Sequence, residues 1–200
     1  MAEATGVVPA PQETGAPPLS RGLSWWWAVG GALGLLAAGA LTLEKIAKLR
    51  DPSYVPSCTL GKVFACGTVM DSPQAAAFGF PNPLIGLAAF SVVVTVGVVG
   101  LIGFAPPRWF RVGMWAGTAF GVGFVHWLIA SSLFEIHALC PYCMVVWAVT
   151  IALFLHTSVD TWPALAGLRR VRGSVLAIWY AAVLALVVTA FWDDWSTLFS

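Results

Sequence analysis

Five long stretches carry no Lys, Arg, Asp or Glu: Leu23–Leu43, Leu84–Phe104, Val112–Phe134, Leu139–Leu155 and Ser174–Trp192. Each is close to the ~20 residues with which an α-helix crosses ~30 Å of hydrocarbon. In lipid only helices and closed barrels satisfy their own backbone groups, and continuous apolar runs lack the alternation of a barrel strand. The chain therefore reads as an all-α, polytopic membrane protein with five spans. The fourth run is short enough to begin at the membrane surface or to lean on the protein interior. Charged residues make up 10% of the chain, against roughly 25% in soluble domains, which excludes an ordinary soluble enzyme. A net charge of +1 leaves no basic surface for nucleic acid.

Residues 1–20, rich in Pro, Ala, Gly and Thr, read as a disordered tail preceding a membrane domain at 21–200. A secretory signal fits less well, because the apolar run that follows is too long and only Arg21 precedes it. Gly30/Gly34 and Gly113/Gly117/Gly121 have the i, i+4 spacing of close-packed membrane helices. Trp25, Trp26 and Trp27, with Trp192 and Trp195 at the far end, read as interfacial belts. The face bearing the N-terminus holds six basic residues, Arg21, Arg108, Arg111, Arg169, Arg170 and Arg172, against Lys45, Lys48, Arg50 and Lys62 on the other. The positive-inside rule then places the N-terminus in the cytoplasm.

The connection Glu44–Pro83 is the one long polar segment between spans, and a structureless loop of that length would be unusual. Ser72 and Pro73 have the pattern of an N-cap followed by a first helical residue. They predict a short, mostly apolar helix through Ala75, Ala76, Ala77 and Phe78 that caps something beneath it.

Four cysteines stand out in so apolar a chain: Cys58 and Cys66 in that loop, Cys140 and Cys143 as Cys-Pro-Tyr-Cys opening the fourth span. The connections between spans one and two and between spans three and four emerge on the same face, so all four thiols share one membrane surface. A Cys-x-x-Cys at a helix start has a mechanism: the positive end of the helix dipole stabilises a thiolate on the more N-terminal cysteine, Cys140. Such a pair cycles between dithiol and disulfide and can exchange with a nearby loop pair by thiolate attack. Two structural disulfides, a four-cysteine zinc site, or buried thiols filling space are the competing readings. His126, inside the third span, is a further ionisable candidate, with proton relay and simple hydrogen-bonded burial as its two readings. Glu135, His137 and His156 read as solvated or interfacial.

The order Cys58-x7-Cys66, Ser72, Phe-Pro-Asn-Pro before the second span, then Cys140-Pro-Tyr-Cys143 resembles the vitamin K epoxide reductase family, over roughly Leu23–Leu155. It is most similar to bacterial homologues of the mycobacterial type. The resemblance implies a four-helix bundle around a quinone, menaquinone or ubiquinone, with a peripheral fifth helix. It implies that Cys140 and Cys143 are the active-site pair, and that Cys58 and Cys66 are a shuttle pair. In that scheme Cys58 bonds to a thioredoxin-fold partner, Cys66 attacks Cys140, and Cys143 faces the quinone. Many bacterial relatives carry a thioredoxin-like domain after the fifth helix. Because this chain stops at Ser200, a separate DsbA-like protein is the expected partner. The resemblance further implies that Ser72 lies on the capping helix, and that Asn82 hydrogen-bonds a quinone carbonyl. Pro83 biases Asn82 away from helical geometry, which suits an amide projecting from a fixed turn. Trp147 replaces a family tyrosine, so its indole N–H becomes the second ring contact and vitamin K epoxide reduction in the strict sense is the less favoured activity. On the outer face of a bacterial plasma membrane, which is oxidising, dithiol oxidation is the expected direction. Among rivals, the DsbB-type bundle has its quinone-proximal Cys-x-x-Cys in the first outer loop, the reverse of the order here. A non-enzymatic membrane protein with structural disulfides is the other alternative.

Overall fold

The computed structural model describes residues 17–193. Helices α1 (Arg21–Arg50), α3 (Asn82–Leu101), α4 (Arg108–Ser131), α5 (Pro141–Thr161) and α6 (Arg172–Ala190) are joined by a short α2 (Cys66–Asp71) and by 3-10 turns at Pro73–Ala76 and Pro163–Arg169. A π-helical turn, Ser132–Ile136, extends α4. Helices α1, α3, α4 (with that turn), α5 and α6 are long and apolar enough to span a membrane. The protein is thus an all-α polytopic membrane protein.

Two helices overrun their apolar runs. The charges Glu44, Lys45, Lys48 and Arg50 end the first apolar stretch without ending α1, since Glu, Lys and Arg are good helix formers. The helix stops where Asp51-Pro52 forces the chain out of helical geometry. The fourth run ends at Leu155 in hydropathy, whereas α5 continues through the mostly polar stretch His156–Asp160 to Thr161, before Pro163.

α5 is the central helix, packed against both α1 and α4, while α3 lies along α1 and α6 leans on the outside of the bundle. Polar groups on α5 join the neighbouring helices: Trp27 Nε1 donates to Thr157 Oγ1 (2.9 Å), and Trp115 Nε1 donates to Ser158 Oγ (3.1 Å). Trp25 and Trp26 are exposed as interfacial residues should be, but Trp27 is only 3% exposed. The Trp27 hydrogen bond to α5 makes it a core residue, which corrects its place in the belt. Trp195 lies outside the described residues, as does most of the N-terminal tail.

The glycine expectation divides in the same way. A side chain at Gly31, Gly34 or Gly97 would collide with the facing helix; at Gly31 it would come within 2.6 Å of the Val94 nitrogen. Gly31 and Gly97 let α1 and α3 touch backbone to backbone, the close approach on which membrane helix association depends, while Gly34 makes room for the Phe90 ring. Gly30 faces Val149 and Leu153 of α5 instead, so Gly30 and Gly34 serve two different neighbours. Gly121 packs on Thr150, but nothing lies within 4 Å of the Cβ position at Gly113 or Gly117. Those two are not packing glycines: correct spacing does not place a helix face against a partner.

Candidate active site

The segment between α1 and α3 folds over the bundle as a cap, and its anchors explain where the cysteines lie. Lys45 donates from Nζ to the Met70 carbonyl (2.8 Å), and Lys48 donates to the Gly67 carbonyl (3.2 Å) and to Asp71. Two cations of α1 thereby hold α2, one of them on a carbonyl at its C-terminal end, the end of a helix that favours positive charge. Beside Lys45 on α1, Glu44 accepts from the Tyr54 hydroxyl (2.9 Å) and from the Ser57 backbone and hydroxyl, tying down the strand of loop just before Cys58. A short parallel bridge pairs Phe64 with Leu139. Leu139 N–H donates to the Val63 carbonyl (2.8 Å), and Ala65 N–H donates to the Leu139 carbonyl (3.1 Å). Since Ala65 precedes Cys66 and Leu139 precedes Cys140, this bridge locks the two cysteines into register.

Cys58 and Cys66 are joined as a disulfide, and Cys140 and Cys143 are free thiols. The Cys140 sulfur lies 3.2 Å from the Cys66 sulfur, and both residues are buried together with Leu41 and Met70. The sulfurs of Cys58, Cys66 and Cys140 all fall within 4.8 Å of one another. Two of the three are bonded to each other, so the cluster is a disulfide with a third thiol against it and not a set of three thiolate ligands. Cys140 stands just outside the span as the N-cap of α5. A hydrogen bond from the Cys143 thiol, helped by the Cys143 and Tyr142 backbone N–H groups, holds its thiol below the usual range against the opposing effect of burial. The direction is the one expected for the first cysteine of a Cys-x-x-Cys, but its leading cause is the Cys143 thiol rather than the helix dipole.

Beneath the cap, between α1, α3, α4 and α5, lies a cavity of about 220 Å³ with mostly apolar walls. Cys140, Cys143, Ser72, Asn82 and Trp147 all line it. Pro73 opens the predicted capping helix, but the segment is a 3-10 turn ending at Ala76, and the Ser72 hydroxyl donates back to the Val69 carbonyl (2.8 Å) in place of capping the turn. Asn82 is the first residue of α3 and not a residue ahead of it. Its Nδ2 donates to the Gln74 carbonyl (2.7 Å), and its Oδ1 accepts from the Ala77 N–H (3.1 Å). The amide thus clasps the cap turn across the cavity mouth and keeps one N–H beyond these bonds. Trp147 is 4% exposed, packs with Val125, Leu133 and Leu139, and its indole N–H has no hydrogen-bond partner among the described residues.

His126 belongs elsewhere. Trp179 Nε1 donates to its Nε2 (3.0 Å), which leaves Nδ1 as the donor to the Val122 carbonyl (2.7 Å). Both nitrogens are occupied, and His126 does not line the cavity; together with the Tyr180 hydroxyl bond to the Ala148 carbonyl (2.6 Å) it docks α6 on the bundle. Glu135 accepts from the Gln74 amide, joining α4's π-helical end to the cap. Glu44, Gln74 and the Phe64–Leu139 bridge escape sequence reasoning. The Lys45/Lys48 spacing was the one available signal, since residues three apart share a helix face.

No curated protein matches the chain. The family model described as the vitamin K epoxide reductase family matches residues 25–158, which take in all four cysteines, the cap and helices α3 and α4. With a disulfide, an adjacent thiol pair and a lined cavity in one membrane bundle, the chain belongs to the vitamin K epoxide reductase family, a family of membrane thiol oxidoreductases.

Proposed function

We propose that this protein oxidises a separate thioredoxin-fold, DsbA-like protein at the outer face of a bacterial plasma membrane and passes the electrons to a membrane quinone. The observation that carries this reading is the 3.2 Å contact between the Cys140 and Cys66 sulfurs. A purely structural disulfide needs no third sulfur, whereas disulfide exchange needs a thiolate against the bond it will break.

The exchange balances at each step. A partner thiolate attacks Cys58, breaking the Cys58–Cys66 bond and releasing the Cys66 thiolate. The partner's second thiol then displaces Cys58 and leaves with its own disulfide. Cys66 thiolate next attacks Cys140 of a Cys140–Cys143 disulfide, Cys143 leaves as a thiolate, and Cys58 attacks Cys66 to restore the loop disulfide and free Cys140. The lowered affinity of Cys140 for its proton makes it the better leaving group in that last step. A bound quinone supplies the acceptor for the two electrons and two protons released as Cys140 and Cys143 rejoin.

The residues present fit such a group. The apolar walls suit an isoprenoid tail, and the unpartnered Trp147 N–H and the remaining Asn82 N–H are donors for ring carbonyls. Ser72 lines the same cavity and holds the cap turn over it. Menaquinone and ubiquinone both meet these requirements. The test is thiol titration of fully reduced protein after adding either quinone anaerobically. The expected result is loss of two thiols per quinol formed, with the first disulfide at Cys140–Cys143. Retention of all four thiols would leave the cysteines a structural role.

A further inference from the structure

The opposite end of the bundle carries a second, polar cavity of about 190 Å³, lined by Ser20, Gly22, His156, Asp160, Arg169 and Arg172, with Leu23 and Val159. Its polar groups come from four separate elements: the start of α1, the end of α5, the 3-10 turn and the first turn of α6. Asp160 is already neutralised, accepting from Arg111 (3.1 Å) and from the Ser20 hydroxyl (3.1 Å). Arg169 and Arg172 make no ion pair among the described residues. The Gly22 N–H is an orphan donor in the first turn of α1, where Ser20 satisfies only Leu23 and Ser24, and nothing lies within 4 Å of its Cβ position.

His156 supplies the independent indication. Expected at the interface, it is 5% exposed, covered by the Trp26 ring at 4.4 Å between centroids. Nδ1 is bonded to the Ala152 carbonyl (2.8 Å), and Nε2 has no partner among the described residues although the side chain lines the cavity. Nδ1 being committed to Ala152, Nε2 is the unused polar atom that this otherwise buried side chain presents to the cavity, where it meets a ligand seated there.

We infer that this cavity binds a phosphate group at the membrane face opposite the cysteines, held by Arg169, Arg172, the Gly22 N–H and His156. Two guanidinium groups and a helix N-terminus suit a phosphate's charge and its several acceptor oxygens. His156 Nε2 accepts from the hydroxyl of a monoprotonated phosphate, or donates once the imidazole is itself protonated. The site involves no cysteine and does not depend on the quinone reading. A phospholipid headgroup and free inorganic phosphate share this chemistry, and the test separates them.

The full-length protein, delipidated in a neutral detergent, is titrated with phosphatidylglycerol and separately with inorganic phosphate, with binding followed by native mass spectrometry. Saturable binding of one equivalent is expected. Because each charge-assisted hydrogen bond is worth roughly tenfold or more in affinity, Arg169→Gln/Arg172→Gln should weaken it at least about tenfold. His156→Phe, which keeps the stacking on Trp26, should weaken it several-fold, and Arg108→Gln, a basic residue outside the cavity, should not. In unsubstituted protein the bound ligand should shift the His156 ring and Gly22 amide resonances, a readout that needs no variant. If inorganic phosphate displaces the lipid, the site takes the free anion; if it does not, the site is a headgroup site. An equal loss in Arg108→Gln, or binding that leaves His156 and Gly22 unshifted, overturns the assignment.

Discussion

Trp147→Phe isolates one atom of the proposed acceptor site. Phenylalanine keeps an aromatic ring among Val125, Leu133 and Leu139 and removes the indole N–H that has no protein partner. The smaller ring leaves a little unfilled space, which by the usual cavity penalty lowers stability by on the order of 1 kcal/mol. The kinetic effect should be much larger. Negative charge grows on a carbonyl oxygen as the ring is reduced, so a fixed donor there stabilises the transition state more than the bound ground state. In a water-poor site one such donor is worth ~10²–10³ in turnover, or about 2.7–4 kcal/mol. The assay is quinol formation with a saturating small dithiol as donor, so that the loop pair and the partner do not limit the rate. The kcat should fall by about two orders of magnitude with a modest change in KM for the quinone, and with thermal unfolding lowered only slightly. A kcat within twofold of the parent, in protein that unfolds normally, would show that the Trp147 N–H is no ring contact.

Asn82→Ala should also lower quinone turnover strongly while leaving Cys58–Cys66 exchange with the partner nearly unchanged. Because it cuts two bonds bracing the cap turn, hydrogen exchange at Ala77 should rise with it, a change Trp147→Phe should not produce. Cys140→Ala or Cys143→Ala should abolish oxidation of small dithiols and of the protein partner alike, whereas Cys58→Ala or Cys66→Ala should abolish mainly the latter; equal losses for all four would contradict the division of roles. Gly97→Val should destabilise the bundle by more than about 2 kcal/mol, since the added side chain would meet the Ala28 backbone, while Gly117→Ala should be neutral to slightly stabilising in the same unfolding assay. Exchange between the two cysteine pairs should persist below pH ~8.5, the ordinary thiol value. Measured in the reverse direction, from the loop disulfide and the free Cys140–Cys143 pair, it should fall only as pH drops through the lowered value of Cys140, because protonation there removes the attacking thiolate; a quench-flow pH profile with the midpoint of a free thiol would refute this.

The parts of this fold that follow from transfer free energy were legible in the sequence. Five uncharged runs announce five spans, and span parity alone brings Cys58, Cys66, Cys140 and Cys143 to one face. What depends on which neighbour a helix face meets was not legible. Trp27 sits beside Trp25 and Trp26 in sequence, yet the 100° step between successive helical residues turns it onto α5. Gly113 and Gly117 have packing spacing on a face that meets nothing. His126 has the right depth for the cavity but the wrong azimuth, and α6 satisfies it. The Phe64–Leu139 bridge, which sets the sulfur register, involves so few residues that no strand-like pattern marks it. The Asn82 amide was expected over the bundle mouth. It does line the cavity, but two of its hydrogen-bonding positions are committed to the cap turn, a use that no single-residue pattern encodes.

In the proposed relay Cys66 and Cys140 are the sulfurs across which the two pairs communicate. In a Cys58→Ser/Cys143→Ser variant only these two thiols remain, 3.2 Å apart in the parent and buried together. Mild oxidation followed by non-reducing peptide mapping should give a near-stoichiometric intramolecular Cys66–Cys140 disulfide, formed at a rate independent of protein concentration. Two free thiols after oxidation, or disulfides formed only between molecules, would contradict the relay.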